Sequence, residues 1–359
     1  MPISIVVGGQ FGSEGKGKIA SYIAQAMGAA AAVRVGGPNS GHSVVDREGN
    51  LFVFKHLPTS AILDGIYCII SAGTYIDPSI LRKEIEISGL DESRLIIDPN
   101  AMIIQAGDIQ SEQKGQLIDQ IGSTGSGTGA AVQRRTQRKR NTELARDCKS
   151  LANFIRPTIP LLRSMLDNGK RIILEGTQGF GLSLLHSPYY PFATSRDTTA
   201  AGVLSESGLS PVDVDDVVLV LRSFPIRVGG NSGPLPREVD WDFVTRRAGS
   251  EEPILEYTSV TKKVRRVAEF DPAIVLDAIR ANMPTRIALN HIDYFDVNCR
   301  VQSKFTELAR REIAKIETMI EFPIELLSYG PATNQIYPFM TSDRKNTHLK
   351  GMPPSYVSL

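Results

Sequence analysis

Cysteine is nearly absent. Three residues, Cys68, Cys148 and Cys299, lie far apart and form no Cys-x-x-Cys pair, which excludes a disulfide-stapled scaffold and points to reduced thiols in a reducing compartment. Net charge is nearly absent too, at +1, which argues against a protein that coats nucleic acid. No apolar stretch approaches the roughly 18 to 20 residues of a membrane span, and no signal pattern opens the chain. The expectation is a cytoplasmic protein that engages neither membrane nor nucleic acid. Repeats, low-complexity tracts and long Pro/Ser/Gly linkers are missing as well, so one domain with insertions is the simpler organisation. His56, His186 and His348 show no metal-ligand spacing, and the single tryptophan, Trp241, reads as packing.

What is present is a chain of 359 residues, 42% of them hydrophobic, long enough for one large α/β domain or two ordinary ones. Eight short apolar runs read as buried strands: Ile3 to Val7, Ala31 to Val35, Tyr67 to Ser71, Leu95 to Ile97, Arg171 to Leu174, Val217 to Leu221, Arg286 to Leu289 and Ile324 to Leu327. Helical patterns lie between them. Ile19, Tyr22, Ile23 and Met27 share one helical face, and Ala273, Leu276 and Ile279 another. The alternation predicts an α/β fold with a central, mainly parallel sheet, covered by helices on both faces, and a ligand site at its carboxyl edge.

Two loops carry the chemistry. Residues 8–18, Gly-Gly-Gln-Phe-Gly-Ser-Glu-Gly-Lys-Gly-Lys, follow the first strand and enter the first helix. Glycines turn backbone amides toward an anion, the helix amino terminus adds partial positive charge, and Lys16 neutralises a phosphate. The spacing departs from the ordinary P-loop. Five residues separate Gly9 from Gly15, and Gly17 stands where that pattern has a magnesium-binding Ser or Thr. The second loop, residues 36–44, follows the second strand and bears His42, a residue able to protonate or polarise an oxygen near neutral pH. Farther on, five cations fall within Arg134 to Arg140 and need a partner.

Gly12-Ser13-Glu14-Gly15-Lys16-Gly17-Lys18 with Asn39-Ser40-Gly41-His42 resembles the adenylosuccinate synthetase pair of loops, in which the family has Gly-Asp-Glu-Gly-Lys-Gly-Lys and Asn-Ala-Gly-His. The likeness continues through Gly122 to Gly129, Leu174 to Gly179, Tyr190 to Ser195, Arg227 to Gly230, Thr261 to Arg266 and Leu289 to Asp293. It implies one P-loop-like domain over 1–359. Its parts are the phosphate loops 8–18 and 36–44, a dimer and monophosphate segment 122–140, a substrate segment 174–230, an aspartate loop 258–266, and a triphosphate base site at 289–293 and 328–331.

The reaction implied is phosphorylation of a purine 6-oxygen by a nucleoside triphosphate, followed by displacement of phosphate by the amino group of aspartate. By resemblance His42 polarises the 6-oxygen, Lys16 and the loop amides hold the transferring charge, and Ser13 and Gln178 complete the catalytic group. The triphosphate falls to Gly12, Glu14, Gly15, Lys16, Gly17, Lys18 and Gly41, with Asn290, Asp293, Gly330 and Pro331 at its base. The monophosphate falls to Ser13, Asn39, Thr124, Gly125, Gln178, Thr194 and Val228. Arg138 reaches the 5′-phosphate of the neighbouring subunit in a homodimer. Aspartate falls to Ser259, Val260, Thr261, Lys263 and Arg265, and magnesium (Mg2+) to the Gly41 carbonyl and Ser13.

The departures bear on substrate. Ser13 replaces the family's aspartate, which takes the proton of the purine ring nitrogen and ligates magnesium; an uncharged hydroxyl does neither well. Its small size gives room and a partner to a purine 2-amino group. It resembles the branch of bacteriophage succino-2-amino-2′-deoxyadenylate synthases, which use deoxyguanylate (dGMP). Lys262-Lys263 stands where the family has Gly-Arg, beside the expected ribose position. Asn290-His291-Ile292-Asp293 replaces Thr-Lys-x-Asp, removing a stacking lysine and favouring ATP or dATP over GTP as donor. The alternatives are an ordinary adenylosuccinate synthetase using inosinate (IMP), aspartate and GTP, and a catalytically silent nucleotide-binding regulator; a P-loop GTPase switch fits the loop poorly.

Overall fold

A computed structural model describes residues 2–258, 263–301 and 305–339. All eight apolar runs become strands of one sheet: β1 Ile3–Gly8, β2 Ala31–Arg34, β3 Tyr67–Ile70, β4 Leu95–Ile97, β5 Ile172–Glu175, β6 Val214–Arg222, β7 Arg286–Asn290 and β8 Leu326–Ser328. A ninth, β9 Ile336–Pro338, pairs antiparallel with β8. Three residues ending in proline give no apolar run to read, and an edge is where a sheet tolerates proline. The order is β9-β8-β7-β6-β1-β5-β2-β3-β4, parallel everywhere except at β9. Because β1 is flanked by β5 and β6, the loop leaving β1 lies between the loops leaving those two strands, a position that favours ligand binding in parallel sheets.

Strand periodicity divides the core between the two faces. Ile3, Ile5, Val7, Leu174, Leu219, Leu221, Ile287 and Leu289 join one cluster with the helices that carry Leu162, Val203, Val244, Ile274 and Ile313. Val6, Ala32, Ile173, Val218, Val220 and Ala288 join the opposite cluster with Ile19, Ala20, Ile23 and Ala24 of α1 (Lys16–Ala26). Two predicted helix faces need correction. Met27 caps α1 and is exposed rather than buried. Helix Pro272–Asn282 buries Ile274, Val275, Ala278 and Asn282, a stripe one position round from Ala273, Leu276 and Ile279. The run there is apolar on most of its circumference, so periodicity alone leaves the face ambiguous.

All three cysteines are free and buried, and no helix among the described residues is long and apolar enough to cross a membrane. Trp241 packs in the core and also donates its indole N–H to the Arg265 carbonyl at 2.7 Å.

His56 follows the hairpin His42–Val45/Leu51–Phe54 and is wholly buried, its Nε2 accepting from the Asp77 amide at 3.2 Å. Burial pushes it down to about 3. The unfolded chain takes up this proton below about pH 6.5, and the folded chain does not until much lower, so the unfolded state binds more protons across that window. Stability should therefore fall as pH drops from about 6.5 toward 3. His56→Gln keeps an acceptor without titrating. It should remove part of the decline in urea midpoint between neutral pH and about pH 4, and an unchanged slope would assign the acid sensitivity elsewhere.

Candidate active site

The first loop leaves β1 and folds over a carboxylate of its own. Glu14 is fully buried; its Oε1 accepts from the amides of Gln10 (3.1 Å) and Gly12 (2.8 Å), and its Oε2 from Lys16 Nζ (2.6 Å). The Glu14 side chain, expected at the triphosphate, thus shapes the loop and neutralises its lysine. Asn290, also expected there, donates its side-chain amide to the Glu14 carbonyl. Ser13 stands exposed at the turn with φ 55°, its carbonyl accepting from Arg222 Nη1 at 3.1 Å.

Gly17 explains the missing P-loop Ser or Thr. A Cβ there would lie 2.8 Å from His42 Cβ and 2.5 Å from Thr59 Cγ2, so only glycine lets the first turn of α1 press against the second loop. The two loops therefore meet, as the sequence led one to expect. Gly37 allows a second close approach, since a Cβ on it would lie 2.7 Å from Thr128 Cγ2 at the start of helix Thr128–Thr136.

His42 is held by residues with no assigned role in the sequence reading. Its Nδ1 lies 2.6 Å from Glu175 Oε1 and 2.5 Å from Arg34 Nη1, and the same carboxylate oxygen pairs with Arg34. Glu175 Oε2 accepts from the Thr59 amide and faces the Thr59 hydroxyl, both at 2.8 Å. Burial alone would raise Glu175, but Arg34, His42 and the Thr59 amide outweigh it and hold the carboxyl down at about 2. Burial, reinforced by Arg34 and Lys16 and opposed by Glu175, pushes His42 down to about 3. The ring is neutral at pH 7; its Nδ1 is shared between Glu175 Oε1 and Arg34 Nη1, and its Nε2 makes no hydrogen bond among the described residues.

Arg34, Glu175 and Arg222 end β2, β5 and β6. Arg222 is fully buried, ion-paired with Glu256, which also accepts from Tyr294 Oη at 2.8 Å. Burial alone would raise Glu256; Arg222 and His291 outweigh it and hold it at about 2. A signal was available: a lone charge closing an apolar strand run at the carboxyl edge of a parallel sheet marks a site.

The remaining expected residues fall into groups. Asn39 Nδ2 donates to Thr194 Oγ1 at 3.3 Å. Gln178, with φ 61°, backs onto Gly8 and Gly12. Thr124 and Gly125 lie in the glycine segment that precedes helix Thr128–Thr136, where the Glu112 carboxylate takes the amides of Gly127 (2.7 Å) and Ala130 (3.1 Å). Val228 is exposed, and its carbonyl accepts from Ser232 Oγ at 2.6 Å. Lys18 reaches the other way, to the Gly330 carbonyl at 2.7 Å and to Ser328. Burial lowers it to about 7 against the upward pull of Asp293. Pro331 is exposed beside Gly330, and Gly41 is exposed ahead of His42.

Lys263 is exposed and Arg265 donates to the Tyr257 carbonyl at 3.0 Å, whereas Ser259, Val260, Thr261 and Lys262 lie outside the described residues. The basic run does not act as one patch. Arg134 is paired with Asp108 at 2.7 Å and Arg135 donates to the Ala72 carbonyl at 2.9 Å, leaving Arg138, Lys139 and Arg140 exposed and without ion pairs among the described residues.

Comparison with known proteins bears on this arrangement. A family model described as adenylosuccinate synthetase matches residues 5–146 and 139–302. The adenylosuccinate synthetase of Methanococcus aeolicus is 35% identical, over 93% of this chain and 98% of its own. Among solved structures, the cyanophage S-2L succinoaminodeoxyadenylate synthetase bound to dGMP and dATP is similar at TM-score 0.79 and 27% identity, covering 94% of this chain and 95% of that one. The Plasmodium falciparum adenylosuccinate synthetase reaches TM-score 0.80 at 21% identity, covering 94% and 100%, a likeness of fold. The family expectation holds, while the sequence relative carries the ordinary family name rather than that of the bacteriophage branch. The chain is a carbon-nitrogen ligase and belongs to the adenylosuccinate synthetase family.

Proposed function

We propose that the chain couples aspartate to the 6-position of dGMP through a 6-phosphoryl intermediate, with ATP or dATP as phosphoryl donor, forming succino-2-amino-2′-deoxyadenylate. The observation that carries this reading is Ser13. It stands exposed at the turn of the first loop, three residues before Lys16. A hydroxyl there accepts from a 2-amino group and leaves room for it. The cyanophage enzyme bound to dGMP and dATP, similar over nearly the whole chain, supports the same substrates. A second reading, IMP with GTP, has the stronger backing from the comparisons, since the sequence relatives at 33–36% identity carry the name adenylosuccinate synthetase while the cyanophage enzyme is 27% identical.

In this reading Lys16 and the loop amides neutralise the transferring phosphoryl. His42 acts on the 6-oxygen through Nε2. Nucleotide charge arriving beside Lys16 and Arg34 offsets the field that keeps the ring neutral, and Glu175 then stabilises the protonated form. Gln178 and Asn39 line the monophosphate, with Thr194 and Thr124 beside them. No group of three or more His, Cys, Asp or Glu able to hold a metal is found among the described residues. This suits a magnesium ion carried by the phosphates, for which the Gly41 carbonyl and Ser13 hydroxyl are hard neutral oxygens. Such an ion, when bound, would offset phosphate charge. Exposed Arg138 would clamp the 5′-phosphate of a partner subunit in a homodimer.

Three measurements test the proposal. Phosphate release in the presence of aspartate should favour dGMP over IMP by about tenfold or more in kcat/KM, the scale of one buried hydrogen bond; a clear preference for IMP would replace this reading with the second. Glu175→Gln keeps an acceptor for Nδ1 but removes the charge. It should lower kcat on the order of 10² or more while KM for the monophosphate moves little, and equal changes in both with a lowered Tm would make Glu175 merely structural. Arg138→Ala should raise KM for the monophosphate far more than for aspartate; equal effects would remove Arg138 from the phosphate site.

A further inference from the structure

Asp293 is a buried carboxylate used on one side only. It follows β7 in a single 3-10 turn, Ile292–Tyr294, and is 2% exposed. Its Oδ2 meets Arg300 Nε and Nη2, both at 2.7 Å, whereas its Oδ1 is buried and has no hydrogen-bond partner among the described residues. Arg300 itself lies in the short turn Val297–Arg300 with its side chain 47% exposed. Buried polar atoms without partners are rare, and one in a candidate site calls for a ligand donor. Asn290, three residues before Asp293, donates to the Glu14 carbonyl of the first loop, and Lys18 at the start of α1 holds the Gly330 carbonyl, so the turn bearing Asp293 adjoins the loop expected to hold the phosphates.

We infer that Arg300 is a positioning residue that sets the base preference of the phosphoryl donor by taking one oxygen of Asp293. The inference rests on the donor reading above and deepens it. Guanine offers two neighbouring donors, its ring N1–H and its 2-amino group, which together match both oxygens of a free carboxylate. With Oδ2 tied to a guanidinium, Asp293 presents one acceptor beside a cation, and the second guanine donor is left without its acceptor in a buried position. Adenine offers one donor group, its 6-amino, next to an acceptor nitrogen. That edge matches a single carboxylate oxygen beside an N–H-bearing side chain, so it does not need the second oxygen of Asp293. Discrimination therefore depends on how many oxygens Arg300 leaves free, without any change to Asp293 itself.

The test compares ATP and GTP as donors in phosphate release that depends on both aspartate and the monophosphate, for the full-length protein. Wild type should prefer ATP. Arg300→Ala frees Oδ2 and should shift the ATP-to-GTP ratio of kcat/KM toward GTP by about 10- to 100-fold, the scale of a regained charge-assisted hydrogen bond, mainly through a lower KM for GTP. Arg300→Lys still occupies Oδ2 and should retain the ATP preference. It also serves as the reference should Arg300→Ala prove poorly folded, since a fall in Tm alone leaves the ratio between two donors unmoved. If wild type prefers ATP and both variants keep its ratio, Arg300 has no role in donor choice although the donor reading stands. If wild type requires GTP, the donor reading fails first and this inference with it.

Discussion

The contact between α1 and the loop of His42 is the constraint on which the site depends. Two backbones can approach this closely only where one lacks a side chain, and Gly17 supplies that lack at the position an ordinary P-loop gives to a hydroxyl. The Glu175 carboxylate then closes the junction from the sheet side. One oxygen serves His42 and Arg34, and the other serves Thr59, whose hydroxyl lies 2.7 Å from the Gly17 carbonyl. Three consecutive strands of the sheet, β1, β5 and β2, thus deliver the helix, the carboxylate and the histidine to one point. Removing the charge from Glu175 would leave Arg34 buried without its counterion, so the network is costly to alter singly.

The same economy of internal charge accounts for the lengthened first loop. Its fifth residue between Gly9 and Gly15 is Glu14, turned inward onto the loop's own amides and onto Lys16. A loop that carries its own anion is preorganised, because its amide dipoles and lysine are already aligned before a phosphate arrives. Below it, Arg222 repeats the device with opposite sign, bridging the Ser13 carbonyl to Glu256 and so linking the first loop to the segment that leads into Lys263 and Arg265. Tyr294 joins the same carboxylate from the turn that bears Asp293. The first loop, the segment that carries Glu256 and the turn that bears Asp293 therefore share one buried ion pair.

The framework was legible in the sequence for a simple reason: strands buried on both faces must be apolar throughout, and eight such runs stand out from their surroundings. Glycines that mark loops were legible for the same kind of reason, since their spacing reports backbone demands directly. What escaped was information carried by distance across the sheet. Glu175 and Arg34 are separated by 141 positions and Asp293 from Lys18 by far more, so no local pattern pairs them. Arg134 and Arg135 read as members of a basic cluster because sequence gives charge without partners, and Asp108 and the Ala72 carbonyl take them out of it. The buried face of helix Pro272–Asn282 escaped because too many of its positions are apolar to single out one stripe.

Substrate choice within such a family is decided on a much smaller scale than identity over the chain. A relative 35% identical across nearly the full length shares the sheet, the loops and the reaction class, all of which depend on many residues acting together. A purine 2-amino group, by contrast, meets one or two side chains. In the reading proposed above, the relevant atom at the monophosphate is the oxygen carried by residue 13, where a carboxylate and a hydroxyl differ in charge, basicity and bulk. At the donor the inferred locus is the second oxygen of Asp293, which Arg300 engages here. Both loci count hydrogen-bond donors on the edge of a base, and each can change through a single substitution that leaves the strands, the glycine turns and the Glu175 network intact. The two loci lie on separate loops joined through the Arg222–Glu256 pair, so a chain can keep the family's chemistry while altering which purine is aminated and which purine supplies the phosphoryl group.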